Sequence, residues 1–229
     1  MLPIQDDAPR YTTPYVNYLL IGLNVVVFIF ELLLAPDDRN SFVFHFGLVP
    51  AAMPAAFHLG GAVSATAAFV PIVSSMFLHA TWLHLIFNMW ALWIFGDNVE
   101  DYLGHFRYGA FYIVSGVIAA LVHILFNWGS ALPTVGASGA IAGVMGAYFL
   151  LYPSARVLTW FFIFVAWLPA WVILGYWFVV QFLSGAATSM AYSSRSTGGI
   201  AFWAHVGGFI AGLTLIKLLP QRPQRYSYE

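Results

Sequence analysis

Long apolar blocks alternate along this chain with short breaks rich in proline, glycine and charge. Crossing ~30 Å of hydrocarbon takes about 20 residues of α-helix, so each block can be tested for length. The first 14 residues are polar, and Tyr15 to Leu34 then runs apolar until Ala35-Pro36-Asp37-Asp38-Arg39 closes it. That block is longer than the hydrophobic part of a signal peptide and has no basic segment before it, so it reads as a retained helix. Between Pro36 and Pro71 lie Pro50, Pro54 and the Gly60-Gly61 pair, which read as a long connection in the membrane interface. A second helix is expected from about Thr81 to Phe95, ended by Gly96-Asp97-Asn98, and a third from Phe106 to Asn127. The fourth runs from Ser138 to Tyr152 and stops at Pro153. A fifth, very aromatic, spans Val157 to about Phe182, and a polar loop from Ser184 to Gly199 leads to a sixth, Ile200 to Leu219.

The pattern therefore predicts an all-α membrane protein: residues 1–14 as a cytosolic segment, 15–219 as a six-helix domain, and 220–229 as a cytosolic tail. Composition narrows the class further. Apolar residues make up 61% of the 229 and charged ones 7%, against about a quarter in soluble domains, which excludes a water-soluble globule. A net charge of −1 gives no basic footprint for nucleic acid, and with no Cys there is neither a disulfide nor a thiolate ligand. Arg10, Arg107, Arg156, Lys217, Arg222 and Arg225 fall on one side of the six-span arrangement, Arg39 and Arg195 on the other. The positive-inside bias then puts both termini in the cytosol.

The fourth helix is the anomaly. Its 15 residues rise about 22 Å at 1.5 Å each, short of the hydrocarbon thickness. With Tyr152 at the cytosolic surface, Ser138 lies below the outer one, and the irregular backbone before it needs protein or water around it.

Polar groups inside a membrane are costly, and three clusters stand out. In Gly136-Ala137-Ser138-Gly139, Ser138 opens a helix whose free N–H groups could donate to an oxyanion; it could equally be a plain N-cap. His205 precedes Gly208 and Gly212, a small-residue spacing repeated as Gly139 and Gly143 on the fourth helix, so the two helices could pack backbone to backbone. That packing would bring His205 to Ser138 as a general base, or His205 is satisfied by a carbonyl or water. His84 and Asn88 share a helix face one turn apart and could donate to a developing negative charge, or act as interhelical glue. No carboxylate or thiolate stands by to complete a zinc site, so no metal and no cofactor is expected. Taken together the clusters supply a nucleophile, a base and oxyanion donors, which is what acyl transfer needs. Glu31 sits at a helix end and the other acids in loops or termini, which points to a Ser–His dyad.

With Met76-Phe77-Leu78-His79 through His84 and Asn88, then residues 136–139, then Ala204-His205-Val206-Gly207-Gly208-Phe209, the sequence resembles the rhomboid family of intramembrane serine proteases. Phe95-Gly96 followed by Glu100, Gly104 and Arg107 matches the family's turn between its second and third helices. The likeness covers about Thr13 to Pro220, with the motifs in order. It implies a six-helix rhomboid-like bundle of the basic bacterial form in an inner membrane, with the active site opening outward. It implies Ser138 as nucleophile, His205 as base and acid, and His84, Asn88 and the Ser138 N–H as the oxyanion hole. It implies single-pass membrane helices as substrates, entering from the lipid bilayer between the second and fifth helices. Trp160, Trp167, Trp171 and Trp177 on the fifth helix are then gate residues, or lipid-facing packing. Two departures stand out. A Trp-Arg pair that many members carry in the first external loop is Val70 and Pro71 here. A Tyr that many members stack on the histidine is Ala142, so a bulky residue from elsewhere must fill that space. A catalytically silent rhomboid-like protein that binds membrane helices is the alternative, and a small transporter with a broken helix the more distant one.

Overall fold

The computed structural model of the chain describes residues 1–53, 69–190 and 201–222. Pro54, Gly60-Gly61, Arg195 and Arg225 lie outside them, as do residues 191–199 of the expected loop. The order is β1 (Leu2–Asp6), α1 (Tyr15–Leu33), α2 (Pro36–Phe46), a 3-10 turn (Ser75–Phe77), α3 (Trp82–Leu103), α4 (His105–Phe126), α5 (Ser138–Leu151), β2 (Arg156–Trp160), β3 (Val165–Pro169), α6 (Ala170–Met190) and α7 (Phe202–Leu218). The molecule is a helical membrane bundle. Among the described residues three helices, α1, α4 and α6, are long and apolar enough to cross a membrane, and α3 joins them if counted with Phe69–Phe77, from which it is bent by 86°. Helices α5 and α7 are apolar but shorter.

Helix α5 is the centre. Every residue from Gly139 to Tyr148 is buried, packed between α3, α4 and α7. In lipid no hydrophobic force drives helices together, so close van der Waals contact must hold them, and small residues permit it. A Cβ on Gly208 would collide with the Gly139 carbonyl oxygen, and one on Gly212 with the Gly143 carbonyl oxygen. Gly143 faces Ser115 of α4, and Gly146 faces the Phe209 carbonyl. The α5–α7 seam is therefore backbone against backbone.

Helix α3 does not stop at Gly96-Asp97-Asn98 but runs to Leu103, and Gly104 with φ +78° ends it. Gly96 is there for packing: a Cβ would press on Asn17 and on the Tyr108 hydroxyl. Glu100, fully buried, accepts from the N–H groups of Val16 (3.0 Å) and Asn17 (2.7 Å) and from His105 Nδ1 (2.5 Å), so it caps α1 from another helix. Helix α2 begins with Pro36 and has Asp37 and Asp38 in its first turn, both favourable at a helix start.

The fifth helix differs most from expectation. It starts at Ala170, not Val157, and continues through Ser184 to Met190. Residues 156–169 form a hairpin instead, and β1 joins it in a three-stranded antiparallel sheet of order β1-β2-β3. Leu2 pairs with Trp160 and Asp6 with Val157, with an irregularity between Pro3 and Gln5. Val157 and Thr159 are buried on one face while Arg156 and Trp160 are exposed, the period-2 pattern of a strand. Pro169 could not donate a helical hydrogen bond and sits just before the helix. Beyond Phe182 the polar residues fold back on the helix: the Thr188 hydroxyl donates to the Ser184 carbonyl at 2.8 Å.

Candidate active site

Ser138 is the first residue of α5, after Ala137 as N-cap. Its backbone N–H has no carbonyl one turn back to bond, because the helix has not yet begun. His205 comes from the first turn of α7, across the glycine seam. The seam holds the two side chains together: Ser138 Oγ and His205 Nε2 are 2.7 Å apart. His205 is 8% exposed and Ser138 partly open.

Opposite them, Gly136 has φ +128°, a conformation side chains avoid, and a Cβ there would lie 2.6 Å from His84 Nε2 and 3.6 Å from Asn88 Nδ2. The backbone just before Ser138 thus passes beside both donors of α3. His84 stands in the first turn of α3, where Thr81 caps the helix by accepting from the His84 N–H at 3.2 Å. One Asn88 Nδ2 hydrogen donates to His79 Nε2 at 3.0 Å, which fixes the amide and leaves its second hydrogen for another acceptor. His79 is fully buried, and its own N–H donates to Glu31 of α1 at 3.2 Å. Together with the bond from the Ser74 hydroxyl to the Phe46 carbonyl (2.7 Å), this ties down the stretch where Val70 and Pro71 replace the Trp-Arg pair.

A cavity of about 30 Å³ opens beside Ser138, lined by Ser75, Met76, Ala119, His123, Thr134 and Gly136 among others. It has room and polar groups for water. His123 is held by its Nε2 at 2.9 Å from the Thr134 hydroxyl.

The space beside His205 left open by Ala142 is occupied from α6. Trp177 lies with its ring centre 5.6 Å from the imidazole centre, tilted by 36°. One turn on, Gln181 Oε1 is 2.7 Å from His205 Nδ1. Gln181 is a polar site residue that sequence reasoning passed over; the available signal was a lone amide in an otherwise apolar stretch from Ala170 to Leu183.

The structure brings Ser138, His205, His84, Asn88 and Gly136 to one place, with Gly139, Gly143, Gly208 and Gly212 forming the seam behind them. It does not bring the four tryptophans together. Trp171 and Trp177 are on α6, whereas Trp160 and Trp167 are on the strands and so are not part of a fifth-helix gate. The reason is the hairpin, which takes up the apolar run that a helix was expected to use.

The Rhomboid domain family model matches residues 66–222, more than half of the chain and all of the site. This chain belongs to the rhomboid family. Among its relatives, Rhomboid protein 1, mitochondrial, of Saccharomyces cerevisiae is 32% identical over 148 residues, 63% of this chain and 40% of that protein. RHOMBOID-like protein 6, mitochondrial, of Arabidopsis thaliana is 32% identical over 157 residues, 67% of this chain and 44% of that one. Rhomboid-like protein 11, chloroplastic, of the same plant is 32% identical over 161 residues, 68% and 54%. The rhomboid chain thus spans about half the length of the curated relatives it matches. Their mitochondrial and chloroplast names lend the expected bacterial inner membrane no support; the rhomboid fold and its apolar helices put the chain in a membrane.

Proposed function

We propose that this rhomboid is an intramembrane serine endopeptidase that hydrolyses peptide bonds in or near the membrane helices of single-pass proteins. The observation that carries the reading is the 2.7 Å contact between Ser138 Oγ and His205 Nε2 at the recessed start of α5. In this reading the Ser138 hydroxyl donates to His205 Nε2, loses its proton to it, and attacks the scissile carbonyl carbon. The carbonyl oxygen becomes negative and is met by the Ser138 N–H, His84 and the free Asn88 hydrogen. His205 returns the proton to the leaving amine, and the C–N bond breaks, leaving an ester on Ser138. Water from the adjoining cavity, deprotonated by His205, then releases the acid product and restores the hydroxyl.

Among the described residues the partner of His205 Nδ1 is the Gln181 amide and not an acid, which supports a dyad over a triad. Substrate enters from the lipid past α6, where Trp171, more than half exposed, and Trp177 form the gate. Both termini lie on the side of Arg10, Arg107 and Arg222, and the site opens to the other.

The purified protein is mixed with a fluorescent transmembrane-helix substrate, and the assay is repeated with Ser138→Ala. Cleavage is expected to fall by several orders of magnitude in the variant, and a serine-reactive phosphonate is expected to label the wild type only. Equal cleavage by both proteins overturns the dyad. Binding of the helix without cleavage or labelling points to a silent rhomboid-like binder.

A further inference from the structure

A base that accepts the serine proton must present a bare nitrogen to it. Neutral imidazole carries its one ring hydrogen on either nitrogen, and a hydroxyl can donate or accept, so Ser138 alone does not choose between the tautomers. An amide oxygen only accepts. With Gln181 Oε1 2.7 Å from Nδ1, the hydrogen belongs on Nδ1 and Nε2 is left to accept from Ser138. The opposite tautomer would point an N–H at Ser138 Oγ and could not take its proton.

Three contacts on three sides fix the ring: Ser138 at Nε2, Gln181 at Nδ1, and the Trp177 ring against its face. Two of the three come from α6 one turn apart, and Gln181 is itself only 9% exposed. An amide suits the place, since a buried carboxylate would need a compensating charge and none is present among the described contacts of His205.

We infer that Gln181 is a positioning residue of this protease: its side-chain carbonyl holds His205 in the Nδ1–H tautomer and aims Nε2 at Ser138. This deepens the protease reading and rests on it.

The test uses the whole chain in lipid nanodiscs, as wild type, Gln181→Leu, which keeps the bulk without the acceptor, and Gln181→Glu, which keeps an acceptor oxygen. Steady-state cleavage of the transmembrane substrate is read alongside ¹⁵N NMR of histidine-labelled protein, the His205 signals being assigned by their loss in His205→Ala. The expected result for Gln181→Leu is a kcat lower by about tenfold to a hundredfold, with KM within about twofold and thermal unfolding little changed. Its His205 signals should move from the single Nδ1–H form to a mixture, whereas Gln181→Glu, which keeps an acceptor oxygen, should keep the hydrogen on Nδ1. Unchanged kcat in Gln181→Leu overturns the inference. So does a wild-type spectrum with the hydrogen on Nε2, which needs no variant to fold. A kcat loss that follows unfolding while the tautomer stays put overturns it too. If the wild type neither cuts nor takes the phosphonate, the protease reading fails instead, and the spectrum still reports on Gln181.

Discussion

Helix α3 carries polar side chains at both ends and treats them in opposite ways. In its first turns stand His84 and Asn88, an imidazole and an amide that face Gly136. In its last turns stand Asp97, Glu100 and Asp101, each with partners. Asp97 meets Arg10 at 3.1 Å, and Asp101 accepts from the Thr12 hydroxyl (2.5 Å) and the Tyr11 N–H (3.1 Å), with Arg222 at 3.7 Å. Glu100 takes the start of α1 and His105. The charged end is therefore a clamp that holds the N-terminal segment and α1 against α3. The other end has fewer fixed bonds and leaves hydrogens free for a reacting oxygen. On the proposed reading, one helix separates anchoring from chemistry by residue type.

The contrast can be broken at several points. Glu100→Ala should cost the most, about 2–5 kcal/mol, because it strips the Val16 and Asn17 N–H groups of their acceptor. A lowered unfolding temperature would report it, with kcat per folded molecule nearly unchanged. If activity falls more than stability does, the two ends are not separable. Asn88→Ala removes both amide donors at the other end without burying a charge. Its kcat should fall by about 10²–10³-fold with the fold retained, and near-normal cleavage would remove Asn88 from the oxyanion hole.

Glu31 is the exception that sharpens the rule, a fully buried acid beside that end whose Oε2 has no hydrogen-bond partner among the described residues. Replacing it by Ala should leave the His79 N–H unsatisfied and cost about 1–3 kcal/mol, read by thermal unfolding together with a smaller fall in kcat through Asn88.

The smallest effect belongs to the exposed pair of Asp7 and Arg156, 2.7 Å apart. Asp7→Asn should change stability by at most about 1 kcal/mol, less at high salt. Hydrogen bonds from Arg156 hold the Asp7 carboxyl below its ordinary value of 3.8. A lowered folded value means the contribution is present above about that pH and fades as acid protonates the carboxylate. A stability difference between wild type and Asp7→Asn that persists well below that range would contradict the assignment.

The site was more legible than its surroundings. Ser138 and His205 could be read because serine and histidine flanked by glycines are unusual in apolar helices, and the glycine spacings of α5 and α7 suggest which faces meet. Gln181 carried no spacing that tied it to His205, twenty-four positions away, so only the fold reveals the contact. Trp177 was legible as a bulky α6 residue but not as the group lying on the histidine. The sheet was hidden for a different reason. A run such as Val157 to Pro169, apolar but for Thr159, satisfies helix and strand alike, and β2's partner β1 lies about 150 positions earlier. Helix α2 falls in what reads as a connection, because Pro36-Asp37-Asp38 suits a turn as well as a helix start.

The glycine seam has a mechanical meaning. Where side chains separate two helices, rotamer changes can slide one past the other; where peptide planes touch, as from Gly139 to Gly143 against Gly208 and Gly212, there is nothing to rearrange. Ser138 and His205, the proposed nucleophile and base, are mounted on what is in effect one rigid beam. When the surrounding bilayer thins or thickens, the beam can tilt as a unit and keep the span from Ser138 to His205. Movement is then left to elements that touch neither residue, such as the β2–β3 hairpin.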